Sequence, residues 1–276
     1  MAAPLYIGKM NPNHWPVNDW ISLSRFLERY FMNDGSYKPT VPWLAESLTY
    51  ESPTVAIMKL RKGVTHHDGS PFNAASVKYV MEWIGDKKNK AWTRGGISPV
   101  KSIEVVDDLT LRWTLKFAWG GFEGMLSTAS GFALSAAALQ KDAAGFDKLP
   151  VGTGAYMFEE ASPGNFLKLK RNPNWWFAKA SGNPDMPYFD GIIVHVIPDA
   201  QVRLANLRAG KLDGLALSKS QYALVKNDPN LKVYNYPRNR LAGLRFNTTK
   251  GVLVLHPGVH PHHHVFKNRL DWFCFS

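Results

Sequence analysis

Between Val77 and Leu115 the sequence changes its hydrophobic period. Val77, Val80, Met81 and Ile84 recur at spacings of three and four, whereas Leu109, Leu111, Trp113 and Leu115 recur at two. Only a helix lines up the first set on one face, and only a strand lines up the second. A chain that carries both must fold as a mixed α/β structure, with helices packed on sheets.

Local signals extend this reading. Asn73 stands before Ala74 and Ala75 as a helix cap, with Gly85 as the stop. Asn18 or Asp19 can cap a second helix, whose apolar face would be Trp20, Ile21, Leu23, Phe26, Leu27, Tyr30 and Phe31. A third helix is expected from Asp199 to Gly210, burying Val202, Leu204, Ala205 and Leu207. Asp107-Asp108 separates two alternating runs as a β-hairpin turn, and Ser162-Pro163-Gly164-Asn165 does the same between Tyr156–Phe158 and Phe166–Leu169. Ile192–Ile197, the third helix and Leu212–Leu217 then read as strand, helix, strand.

Composition excludes some classes. The chain of 276 residues is 45% hydrophobic, which is enough apolar material for a sizeable core and argues against disorder. Its net charge of +11 favours anionic partners. Lys and Arg are scattered singly and in pairs rather than gathered into a stripe, so a nucleic acid is not expected as partner. Cys274 is the single cysteine, so no internal disulfide forms. The first residues lack a basic stretch followed by a long apolar one, so no secretory signal is expected in this sequence, and no apolar run is long enough to span a bilayer.

Chemistry-bearing patterns are sparse. There is no G-x-S-x-G, no Ser-x-x-Lys at a helix start and no phosphate-cradling glycine loop. His66-His67-Asp68-Gly69 reads as a turn rather than an acid/base group. In the tail from Gly251 to Ser276, His260, His262 and His264 are the candidate metal ligands, for nickel, zinc or copper. Adjacent histidines without partners to orient them bind metal weakly, so no cofactor is expected. Ten tryptophans remain. Most belong in the core, while Trp15, Trp92 and Trp119 fall in loops, where an indole face can line a ligand cleft.

Four segments carry a resemblance. Residues 59–78, with Gly63, Asp68-Gly69 and Pro71-Phe72, are similar to the strand, turn and helix "LRKGVKFHDGTPF" of the family-5 extracellular solute-binding proteins of ABC transporters. Val100–Leu115 resembles that family's "VEVVDDYTVRFTL" hairpin, and Pro150–Tyr156 resembles "PVGTGPY", a likeness continued by Arg171–Trp176. Tyr188–Asp213 resembles "YLDKI…VIPD…ALQAGEIDIA", and Phe246-Asn247-Thr248 the "FNT" near the crossing into the second lobe.

The resemblance covers about residues 11 to 250 and implies a type II periplasmic-binding-protein lobe without its second lobe. It implies an α/β core of residues 1–12 and 150–250, an inserted subdomain at 13–149, and a divergent His-rich tail at 251–276. It further implies a small peptide or other small solute as ligand, a membrane permease as partner, and a periplasmic or extracytoplasmic location. Ligand contacts are expected at Asn13, Trp15, Trp92, Trp119, Thr153 and Asn247. The alternatives are a hydrolase acting on a small ester or phosphate, and a metal-binding protein using the tail.

Overall fold

The chain's short-range signals become structure where the backbone can satisfy itself locally. The computed structural model describes residues 2–3, 9–14, 23–33 and 41–234. In chain order the strands begin with β1 (Ala2–Ala3), β2 (Phe31–Met32), β3 (Val41–Pro42), β4 (Ala45–Ser52) and β5 (Val55–Leu60). Helices α1 (Ala74–Gly85) and α2 (Arg94–Ile97) precede β6 (Val100–Asp107) and β7 (Thr110–Leu115). After α3 (Phe122–Leu126) and α4 (Ala136–Asp142) come β8 (Tyr156–Ser162), β9 (Phe166–Arg171), α5 (Trp176–Ala180), β10 (Gly191–Val196), α6 (Ala200–Arg208) and α7 (Lys219–Val225).

Two four-stranded sheets carry the fold. One has the order β4-β5-β7-β6, all antiparallel, and the other the order β1-β10-β9-β8, in which β1 runs parallel to β10. Both expected hairpins are present. In the first, the Asp107 carboxylate accepts from Leu109 N at 2.8 Å, and β7 alternates as its sequence does, with Leu111, Trp113 and Leu115 buried. In the second, Gly164 takes φ +80°, a conformation an L side chain resists, at the turn between β8 and β9.

Helix α1 has the expected cap. Asn73 Oδ1 accepts from Ser76 N at 2.9 Å and Ser76 Oγ from Asn73 N at 3.0 Å, a reciprocal box that satisfies two free donors of the first turn. Val77, Val80, Met81 and Ile84 are buried together against β6, β7 and α4, each contributing roughly 2 kcal/mol of apolar burial.

Three expectations change. Of the described part of the helix expected through Phe31, Leu23 is helical, residues 24–26 turn, and the chain then runs extended into β2. Its carbonyls are taken by distant donors: Arg25 O by Tyr156 N, Phe26 O by Gly154 N, Glu28 O by Ala133 N and Tyr30 O by Ala45 N. Phe26, Leu27, Tyr30 and Phe31 are buried together, so their spacing reflects enclosure on all sides rather than one helical face. The expected capping pair Asn18 and Asp19 lies outside the described residues. Helix α6 forms with Asp199 as its cap, yet Val202 is 49% exposed and Ala205 is also exposed, while Arg203 and Leu204 are the buried pair. Arg203 Nη1 reaches back to the carbonyls of Ile197 and Pro198 at 2.6 and 2.8 Å, which draws the helix down on that side. Leu212–Leu217 forms no strand, although Leu212 is buried. Among the described residues no helix is long and apolar enough to cross a membrane.

Candidate functional site

Two groups of tryptophans stand apart in this fold. The first is built on the Asn11–His14 turn. Asn13 is fully buried, and its N–H is held by Asn11 Oδ1 at 3.0 Å. Its carbonyl accepts from Trp92 N at 3.0 Å and its side-chain oxygen from Thr93 Oγ1, while Trp92 Nε1 donates to Pro12 O at 2.9 Å. The indole is thus fixed by its polar edge, and its ring remains 47% exposed.

Trp119 lines the same cleft as Trp92. A side chain at Gly121 would place Cβ 2.6 Å from Trp119 Cε2, so the ring lies over this loop only because position 121 is glycine. Together with the two indoles, Gly96, Met125 and Ser130 help to line this open cleft of about 270 Å³. Its lining is neutral: aromatic faces, a thioether and the hydroxyls of Thr93, Thr128 and Ser130. Such a surface can stack and hydrogen-bond a small solute, but it supplies neither an acid nor a base.

The second group surrounds Glu28. Its Oε1 accepts from Trp43 Nε1 and Trp175 Nε1, both at 3.0 Å, and its Oε2 from Trp176 Nε1 at 2.9 Å and Thr153 Oγ1 at 2.8 Å. Burial raises the carboxyl's pKa, and the four donors offset only part of that rise. The Arg61 guanidinium lies 4.8 Å over the Trp176 ring and donates from Nε to Trp43 O at 2.7 Å, closing the cluster from outside. Thr153 reaches Glu28 because of its flanking glycines. A Cβ on Gly152 would collide with Phe26 O, and one on Gly154 would lie 2.7 Å from Arg25 O, so only glycines let this loop lie against residues 25–28.

His66, His67 and Asp68 serve the same loop. His67 Nε2 lies 3.0 Å from Gly154 O, and Gly152 N donates to His67 Nδ1 at 3.4 Å, an arrangement that suits the neutral ring protonated on Nε2. Burial depresses its pKa to about 4. Burial works against the Asp68 carboxylate, but Ser70 and Ser135 donate to it at 2.6 and 2.7 Å and hold it below its ordinary value. Those hydroxyls meet the carboxylate directly, with no imidazole between, so this is a brace and not a nucleophile with its base. His66 is buried against Phe72 and its pKa is lowered by that burial.

Of the sequence candidates, Trp92 and Trp119 line the cleft, Asn13 is buried behind it where it holds Trp92 and Thr93, and Thr153 belongs to the Glu28 cluster. Trp15, Asn247, His260, His262 and His264 lie outside the described residues. Among the described residues no group of three or more His, Cys, Asp or Glu could hold a metal ion. Glu28 was not among the candidates; its one sequence signal is a charged pair, Glu28-Arg29, inside an apolar run.

The family model for bacterial extracellular solute-binding proteins, family 5 Middle, matches residues 39–268. The chain belongs to that family. The glutathione-binding protein GsiB of Escherichia coli strain K12 is 27% identical over 209 residues, 75% of this chain and 40% of its own length. Among solved structures, NikZ from Campylobacter jejuni in complex with Ni(L-His) superimposes with a TM-score of 0.70 at 26% identity, over 83% of this chain and 45% of NikZ. DppA from Helicobacter pylori in complex with the peptide STSA gives 0.69 at 23% identity, over 83% and 48%, a likeness of fold. This family-5 chain is therefore a mixed α/β structure of the periplasmic-binding-protein type, and it spans less than half the length of the relatives it matches.

Proposed function

We propose that this chain is the first lobe of the solute-binding component of an ABC transporter, taking a small peptide or similar solute and serving a membrane permease on the extracytoplasmic side. The observation that carries the reading is the neutral, tryptophan-walled cleft on a family-5 fold. Trp92 and Trp119 offer their faces to ligand and Asn13 holds the Trp92 turn, with Trp15 and Asn247 as further candidate contacts, while the Thr153 hydroxyl is engaged by Glu28. Residues 1–12 and 150–250 form the core of the lobe and 13–149 an inserted subdomain; the placement of β1, β8, β9 and β10 in the first and β4–β7 in the second supports that division.

In this family two lobes close on a ligand, so one lobe supplies part of the contacts and binds weakly. The test is calorimetry of the 276-residue chain against glutathione, uncharged tripeptides and a nickel–histidine chelate. Trp92→Ala and Trp119→Ala are each expected to weaken peptide binding about tenfold or more, as loss of a stacked anchor does. Binding indifferent to both substitutions would remove the cleft from the account. Ester turnover that persists through purification and vanishes on one Ser, His or Asp substitution would replace binding by catalysis.

A further inference from the structure

His14 occupies a position where its two ring nitrogens ask for different things. Nδ1 lies 2.9 Å from Asp147 Oδ2, and Nε2 lies 2.9 Å from the Asn89 carbonyl oxygen. Both neighbours are acceptors. A neutral imidazole has one N–H and one lone pair and can satisfy only one of them, whereas the imidazolium donates to both. The Trp83 ring, 5.6 Å away, favours the charged form too.

These bonds lead toward Trp92, which lines the cleft. Asp147 Oδ1 accepts from Asn11 N at 3.1 Å and Asp147 O from Met10 N at 3.1 Å, and His14 N donates to Asn11 O at 3.0 Å. On the other side, Asn89 Nδ2 is tied to Trp83 O at 2.8 Å, and three residues later Trp92 is tied to Pro12 and Asn13. His14 is therefore the side chain that joins Asp147, the Asn11–His14 turn and the segment leading to Trp92.

We propose that His14 is a positioning residue for the cleft: as the imidazolium it clamps the Asn89–Trp92 segment to Asp147, and as the neutral ring it releases one end, so that the Trp92 wall loosens as pH rises. The proposal rests on the reading of Trp92 as a ligand wall. The charged groups that bear on His14 are the Asp147 carboxylate, which favours protonation, and the Lys9 ammonium, which opposes it weakly. The Asp147 hydrogen bond dominates and raises the pKa above 6.5. A raised value means that the clamp is complete below 6.5 and is lost as pH climbs through the folded-state value.

The experiment tracks the Trp92 indole N–H by nitrogen-15 NMR on the full chain, assigned with Trp92→Phe, from about pH 5 to about pH 9, the range in which a perturbed imidazole titrates. The signal is expected to move with an inflection above 6.5, with several-fold lower protection of the indole proton on the alkaline side. His14→Gln should flatten the curve, and Asp147→Asn should move the inflection to lower pH, a shift that a purely structural role would not produce. If His14→Gln fails to fold, Asp147→Asn carries the same test. A Trp92 signal with no inflection, or one unmoved in Asp147→Asn, overturns the proposal. The readout needs no ligand: peptide binding with a flat Trp92 curve defeats this inference alone, and a clear inflection without any binding supports it while defeating the solute reading.

Discussion

The Glu28 cluster and the Trp92–Trp119 cleft are both made of tryptophan, and they use it in opposite ways. At Glu28, three indole N–H groups converge on one buried carboxylate, so position and polarity are consumed internally and the rings lock neighbouring segments together. At the cleft, the Trp92 N–H is held by a backbone carbonyl at the edge, and the ring face is left to solvent. The same side chain is structure where its N–H finds a buried carboxyl and available surface where a turn holds it by the rim.

The largest effect should separate the two regions. Glu28→Ala removes the shared acceptor and leaves three indoles and a hydroxyl unpaired in the interior, an expected loss of about 3–5 kcal/mol in denaturant unfolding. Trp92→Ala, at a half-exposed position, should cost under about 1 kcal/mol in the same measurement. Equal losses would erase the distinction.

A middle-sized effect lies on the pH axis. His67 is held neutral in the fold with a pKa of about 4 against an ordinary 6.5, so the unfolded chain binds more protons between those values. Stability should be full above 6.5 and fall as pH drops toward 4, by on the order of 1–3 kcal/mol, and thermal melts of His67→Gln should show less of that fall. The cleft's His14 has the opposite sign, losing its clamp at alkaline pH. The two regions can thus be loosened from opposite ends of one titration.

The smallest effect on stability, within about 0.5 kcal/mol, is expected for Gly121→Ala, whose added methyl has its nearest contacts with the Trp119 ring. It should instead change peptide affinity by displacing that ring. A changed melting point with unchanged affinity would show Trp119 to be part of the core.

Legibility in the sequence depends on the range of the contacts. Helix α1 and both hairpins were legible because cap, turn and periodicity lie within a few residues of one another. Residues 23–31 misled because their apolar spacing fits a helix while their carbonyls are taken by residues far along the chain. In α6 the exposed Val202 and the buried Arg203 reverse the expectation from hydropathy, since the guanidinium has carbonyl partners and the valine faces solvent. The loop tryptophans at 92 and 119 were legible as candidates, since turn-rich surroundings marked them out. The Glu28 cluster was not: Trp175 and Trp176 lie 147 and 148 residues from Glu28, and no local pattern announces such a meeting.

The pairing of β1 with β10 sets an order of events. Ala2 and Ala3 lie beside His195 and Val196, running parallel, so this edge of the sheet closes a loop of roughly 190 residues, whose entropy grows slowly with length but must be met in full before the contact forms. The β8-β9 hairpin and its antiparallel neighbour β10 need no such closure. A chain emerging from the ribosome can therefore build three strands of that sheet from nearby residues, while β1, synthesised well before β10, waits for its partner.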